Sequence, residues 1–215
     1  MSAFEPMTFA LPALLASAWR DPKRTYPLMD GESAAVERAV PKRVVEFSAG
    51  RDAARAALAE LGAEPAPLLR GSDRAPIWPE GFCGSVSHSD AKCLAVAARR
   101  VDLVSVGVDL EEYAPLGRDL RDVILAAPER HVDDLAALRI FSMKEALFKA
   151  LFPLTGQMMG FHEAVLCADT GGRARFELVD GLPNFPKGTE IDVTWQVAED
   201  HVLSLCCLET GAAGA

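Results

Sequence analysis

Apolar and polar positions alternate with two different periods along this chain, and the change of period marks out its elements. Between residues 44 and 61, Phe47, Ala54, Leu58 and Leu61 recur at helical spacing, and Gly62 stands where a helix C-cap belongs. Residues 93–98, an unbroken Cys-Leu-Ala-Val-Ala-Ala run, predict a strand. Residues 101–109 predict a second strand, joined to the first as a hairpin at Arg99-Arg100. On that reading His88, at the start of one strand, and Asp109, near the end of its neighbour, share a sheet edge. Leu135, Leu138, Phe141, Leu147, Phe148 and Leu151 supply the apolar surface of a helical region from about 128 to 152, stopped by Pro153 and divisible near 132–134. Segments 164–168, 173–179, 191–198 and 201–208 read as the strands of a meander, the last two forming a hairpin. The first thirty residues carry Pro6, Pro12, Pro22 and Pro27 and predict an irregular wrap with a short helix near 14–19, while 211–215 read as a frayed tail.

Composition narrows the class. The 215 residues are half hydrophobic and a quarter charged, which suits one large domain or two small fused lobes with a real core. A net charge of -9 argues against a general nucleic-acid binder but leaves room for a local basic pocket. The five cysteines are odd in number and none is spaced as CxxC, a pattern of buried thiols in a reducing cytoplasm rather than a disulfide frame or zinc site. The apolar patch at 9–18 is interrupted by Pro12 and preceded by Glu5, so it reads as mature sequence, and no apolar run reaches transmembrane length.

Four groups of residues carry candidate chemistry. In the strand Val106-Gly107-Val108-Asp109-Leu110-Glu111-Glu112, Asp109 and Glu111 point to the same face. They are either a solvated strand end or a pair that a hard cation such as Mg²⁺ would relieve of its repulsion. Arg51 and Arg55 lie four apart on one helix face, after Lys42 and Arg43, as a solvated basic face or a clamp for phosphates. Glu145 and Lys149 are either an ordinary helix ion pair or a third carboxylate flanked by Lys144 and Lys149. Ser87 and His88 stand at the mouth of a predicted strand, and Arg70 and Arg74 in the turn-rich stretch before it. The loop Thr155-Gly-Gln-Met-Met-Gly-Phe161 exposes methionines of the kind that serve core or partner.

The order Ser87-His88-Ser89, then Val106-Gly107-Val108-Asp109-Leu110-Glu111, then Phe141-Ser142-Met143-Lys144-Glu145-Ala146-Leu147-Phe148-Lys149, closely resembles the signature of the Sfp-type 4′-phosphopantetheinyl transferases. The upstream stretches Glu46-Phe47 to Leu58 and Pro76-Ile77-Trp78-Pro79 to Ser85 are similar to the branch serving enterobactin-type siderophore synthesis. The resemblance covers roughly residues 38–165, with Phe141 where many members have tryptophan.

The resemblance implies an α+β fold of two similar α/β lobes related by a pseudo-twofold, spanning 1–105 and 106–215, with the active site in the cleft between them. It implies a cytoplasmic, monomeric enzyme of the holo-[acyl-carrier-protein] synthase type. Such an enzyme moves the phosphopantetheine arm of coenzyme A onto a serine of an apo acyl or peptidyl carrier protein and releases adenosine 3′,5′-bisphosphate, in siderophore, peptide or polyketide biosynthesis. Asp109, Glu111 and Glu145 would hold Mg²⁺ (or Mn²⁺), Glu111 through a water. Glu145, or Glu111 with a water, would take the serine proton, and Lys149 would stabilise the leaving phosphate. Arg51, Arg55, Arg74, Ser87, His88, Lys144 and Lys149 would bind coenzyme A, with Lys42 and Arg43 nearby. Carrier proteins are usually acidic, as this chain is, so docking is expected to be largely apolar, through Met158, Met159 and Phe161. Two rival readings are a Mg²⁺-dependent phosphohydrolase or nuclease using the same acids, and a non-catalytic carrier or nucleotide module.

Overall fold

The computed structural model describes residues 5, 7–73 and 75–209; Arg74 and the tail expected at 211–215 lie outside them. The chain is a mixed α/β protein that divides into two compact units, Met1–Val106 and Gly107–Ala215.

In the first unit, β1 (Ala16–Arg20), β2 (Phe82–His88) and β3 (Cys93–Arg99) form an antiparallel sheet of order β1-β3-β2. β3 is central, which is why its residues from Cys93 to Ala98 are buried on both faces and why it shows no alternation. Helix α1 (Pro41–Glu60) begins with proline at its first position, where no N–H is needed. It covers one face of the sheet through small side chains: Ala49, Ala53 and Ala57 form a common core with Ala16, Ala18, Cys93, Ala95 and Ala97. The helix expected at 14–19 is instead the strand β1. Its residues Ala16 and Ala18 stand opposite Ala97 and Ala95, and pairing to β3 overrides the weak local preference.

The hairpin expected between β3 and 101–109 does not form. The amides of Asp102 and Leu103 both donate to the Arg99 carbonyl (3.0 and 3.1 Å), closing a turn that leaves Val101 exposed. The next strand, β4 (Ser105–Glu112), starts later and joins the other sheet. The shared edge inferred for His88 and Asp109 therefore has no basis in strand pairing.

The second unit holds a five-stranded sheet of order β4-β8-β7-β6-β5, with β5 (Ala164–Asp169), β6 (Arg173–Leu178), β7 (Glu190–Ala198) and β8 (His201–Leu208) forming the expected antiparallel meander. A short helix α2 (Arg118–Ile124) follows β4. Helix α3 (Asp134–Thr155) packs on β8 and β7. Asp133 caps it by accepting from the Ala136 amide at 2.7 Å, and Gly156, at φ 63°, ends it. Pro153 lies inside its last turn rather than stopping it, because only one intrahelical bond is lost there. Among the described residues no helix is long and apolar enough to cross a membrane.

Candidate active site

The acids of β4 meet α3 because β4 carries a glycine. A Cβ added at Gly107 would stand 1.9 Å from the Ala146 carbonyl oxygen and 2.5 Å from the Ala150 nitrogen, so strand and helix backbones approach as only glycine permits. Gly107, Asp109 and Glu111 share one strand face by alternation. On the helix, Ala146 and Ala150 line the close approach, and Lys149 lies one position away. The result is an ion pair across the seam: Lys149 Nζ donates to Asp109 Oδ1 at 2.7 Å and to the Val108 carbonyl at 3.1 Å. Asp109 is 2% exposed.

Glu111 and Glu145 belong to the same electrostatic group. Burial pushes the Glu111 carboxyl up to about 7, the Asp109 charge adds to the rise, Lys149 opposes it, and Glu145 and Glu112 add further. Burial also raises Glu145, opposed by Lys149 and assisted by Asp109. The four side chains expected to do the chemistry are thus mutually coupled on β4 and α3.

Their donor set suits a hard divalent cation. It offers only carboxylate oxygens, and three acids against one lysine leave negative charge that burial makes costly. Among the described residues no group of three or more His, Cys, Asp or Glu side chains is placed to hold a metal ion, so the three acids are coupled by charge without being gathered around one point. Mg²⁺ usually keeps several waters and takes substrate phosphates as ligands, so one or two of these carboxylates would serve as its protein ligands.

The basic residues of the first unit fall into two kinds. Arg51 is 5% exposed, stacks on the Phe47 ring with its guanidinium carbon 4.3 Å from the centroid, and its buried Nε makes no hydrogen bond to described residues. Burial lowers it to about 10; Glu32 opposes this, while Arg43, Arg55 and Arg70 add to it. A desolvated guanidinium facing other cations is poised for an anion. Near the start of α1, Arg43 Nη1 stands 3.1 Å from His88 Nε2, and Glu46 lies within 3.8 Å of Lys42, Arg43 and His88. Lys42 donates to Asp90 at 2.8 Å.

Arg55 is of the other kind. Its Nη1 donates to both oxygens of buried Glu32 at 2.7 Å, and its Nη2 donates to the Pro27 carbonyl at 2.7 Å. Glu32 also accepts the amides of Met29 and Leu68. Arg55 thus neutralises a buried acid 23 residues away in sequence.

Ser87 and His88 are neighbours in β2, so they point to opposite sheet faces. Val86 and Phe82, on the His88 face, pack towards α1, while Ser87 is buried with Ser85 and Cys83 on the other. The two side chains therefore leave the strand on opposite sides. Lys144 does not flank the acids as a phosphate ligand. It is 1% exposed and its ammonium donates to Glu129 Oε2 (2.6 Å), the Phe161 carbonyl (2.8 Å) and the Ile124 carbonyl (2.9 Å), using all three protons. Sequence reasoning missed Glu129, Glu32 and Gly107; only the last left a legible signal, an isolated glycine between valines in a strand.

Residues 31–98 match the model of the 4′-phosphopantetheinyl transferase N-terminal domain, and residues 105–206 that of the 4′-phosphopantetheinyl transferase superfamily. The chain is 35% identical over 211 residues to 4′-phosphopantetheinyl transferase PptT of Mycobacterium tuberculosis, covering 90% of this chain and 91% of that one. It is 43% identical over 151 residues to 4′-phosphopantetheinyl transferase Svp of Streptomyces mobaraensis, covering 66% of this chain and 61% of that protein's length. With enterobactin synthase component D of Salmonella typhimurium the identity is 30% over 173 residues, 76% of this chain and 71% of the relative. Matched in this way along most of its length, the chain belongs to the 4′-phosphopantetheinyl transferase superfamily.

Proposed function

We propose that this chain transfers the phosphopantetheine arm of coenzyme A to a carrier-protein serine, with recognition of the nucleotide in its first unit and phosphoryl chemistry in its second. The observation that carries the reading is the coupling of Asp109, Glu111 and Glu145 with Lys149. In the first unit, Arg51 and the Arg43–His88 pair, with Lys42 beside them, receive coenzyme A phosphates; His88 is the side chain on the helix-facing side that reaches them. The twofold-related lobes implied by the resemblance, a monomeric state and cytoplasmic location belong to the same proposal.

In the transfer, the serine oxygen forms a bond to the phosphorus that bears pantetheine. The bond from that phosphorus to the bridging oxygen breaks, and its electron pair leaves with adenosine 3′,5′-bisphosphate. A Mg²⁺ held by Asp109, Glu111 and Glu145 would neutralise pyrophosphate charge and polarise the attacked phosphorus. Glu145 takes the serine proton, because burial raises its basicity while Lys149 keeps it ionisable. Lys149, oriented by Asp109, offers its ammonium to the leaving phosphate. Met158, at 69% exposure, presents an apolar side chain for the carrier, with Met159 and Phe161 beside it in the chain.

The test is incubation of purified protein with several apo carrier proteins, coenzyme A and Mg²⁺, read by carrier mass. A gain of one phosphopantetheine is expected. No gain on any carrier, with release of nucleotide from coenzyme A alone, would point to a hydrolase instead. Asp109→Asn should cut turnover by about 10²-fold or more while leaving the fold intact, since an electrostatic ligand is lost at a buried site.

A further inference from the structure

One buried ion pair in the second unit, Lys144 with Glu129, is unused by the proposed chemistry, and it ties together several elements of the chain. Lys144 precedes Glu145 in α3, but its side chain runs the other way, into the protein. Lysine is almost never fully buried without partners. Here the partners are Glu129, in the 3₁₀ turn Ala127–Glu129, and the carbonyls of Ile124 and Phe161. Glu129 is equally engaged: Oε2 also accepts the Ala126 amide at 2.7 Å, and Oε1 accepts the Leu166 amide at 2.8 Å. The pair therefore pins the end of α2, the 3₁₀ turn, α3 and the start of β5 to one point.

What is pinned has a common character. The segment between α3 and β5 carries exposed Met158, and its far end is held by the Phe161 carbonyl on Lys144 and by the Phe161 ring against Phe141, centroids 5.7 Å apart. Helix α2 abuts the 3₁₀ turn Phe161–Glu163, with His162 Nε2 3.1 Å from the Asp122 carbonyl. It exposes Leu120 and Val123, three apart and so on one side of the helix. The segment of Met158 and the helix of Leu120 and Val123 are thus fastened by the same ammonium.

We infer that Lys144 is a positioning residue for carrier recognition: its ammonium, with Glu129, holds α2 and the 156–163 segment in the arrangement that the carrier protein meets. The inference rests on the carrier-docking part of the proposed function. It assigns Lys144 no contact with coenzyme A.

The test uses the full chain with Glu129→Gln and Lys144→Met. Glutamine keeps the shape of Glu129 but loses one acceptor and the charge, so it is the variant expected to remain folded if Lys144→Met does not. Amide hydrogen exchange of the metal-free and carrier-free protein should quicken by about tenfold across 156–166 while β7 and β8 stay unchanged. The KM for carrier should rise by about tenfold, with the KM for coenzyme A within about twofold of the parent. A parallel rise of both KM values would restore Lys144 as a coenzyme A ligand and overturn the inference. Uniform quickening of exchange would make the pair merely structural, and quickened exchange with unchanged carrier KM would remove the segment from docking. If the parent modifies no carrier, the proposed function fails first. The inference then fails as a statement about carriers, while the exchange data still decide whether the pair holds the segment.

Discussion

Replacing Gly107 by alanine adds one methyl group at the seam between β4 and α3, and the structure sets how much that should matter. The methyl would stand 1.9 Å from a backbone oxygen and 2.5 Å from a backbone nitrogen of α3. Neither atom can rotate away, so strand or helix must move by about 1 Å before the closest contact becomes tolerable. Overpacking of this kind costs about 1–3 kcal/mol, and more where backbone is the obstacle. The displaced element carries Asp109, whose bond to Lys149 is 2.7 Å long, and a shift of about 1 Å at reacting groups costs on the order of 10²-fold in rate. Gly107→Ala should therefore lower the thermal midpoint by several degrees and carrier modification by about 10²-fold. The assay is thermal unfolding alongside mass-detected transfer. Gly117→Ala is the control, since a methyl there meets nothing within 4 Å, and its effect should stay below about 1 kcal/mol. A Gly107→Ala protein with the parent's stability and turnover would refute the claim that close approach builds the site.

Three other outcomes follow from the same geometry. Arg55→Ala leaves Glu32 buried without its cation and should cost about 3–5 kcal/mol in stability, measured by denaturant unfolding. Arg51→Ala removes a guanidinium whose buried Nε has no hydrogen-bond partner among the described residues, so it should spare most of the stability and instead raise the KM for coenzyme A by about tenfold or more. Glu111 has a folded-state value near 7, above its ordinary 4.5, so its contribution to stability is fully present below about 4.5 and is lost as pH rises through 7. Metal-free protein should lose stability across that window, Glu111→Gln should flatten the loss, and added Mg²⁺ should raise the melting temperature more at pH 8 than at pH 6 because the cation competes with the proton.

The chain's local patterns specify much of this molecule. The period-3.6 spacing of α1, the apolar run of β3 and the meander from β5 to β8 were legible because each element makes most of its own hydrogen bonds or pairs with its sequence neighbour. Asp109 and Glu111 on one face of a strand, and Glu145 and Lys149 on one turn of a helix, follow from backbone geometry alone. Tertiary structure decided the partners. Whether residues 16–20 become a strand depends on β3, far away in sequence, and the turn at Arg99 sends β4 to a different sheet, which no residue between 93 and 109 announces. The same holds for charges. Arg51 and Arg55 look alike in sequence, yet one lies against a phenylalanine and the other against Glu32. Lys144 and Lys149 flank the same glutamate, yet one is consumed inside the protein. A charged side chain's role depends on which opposite charge the fold brings within about 3 Å, and local sequence does not encode that distance. Gly107 lies between the two cases: the sequence shows that its side chain is missing, and only the fold shows what occupies the space.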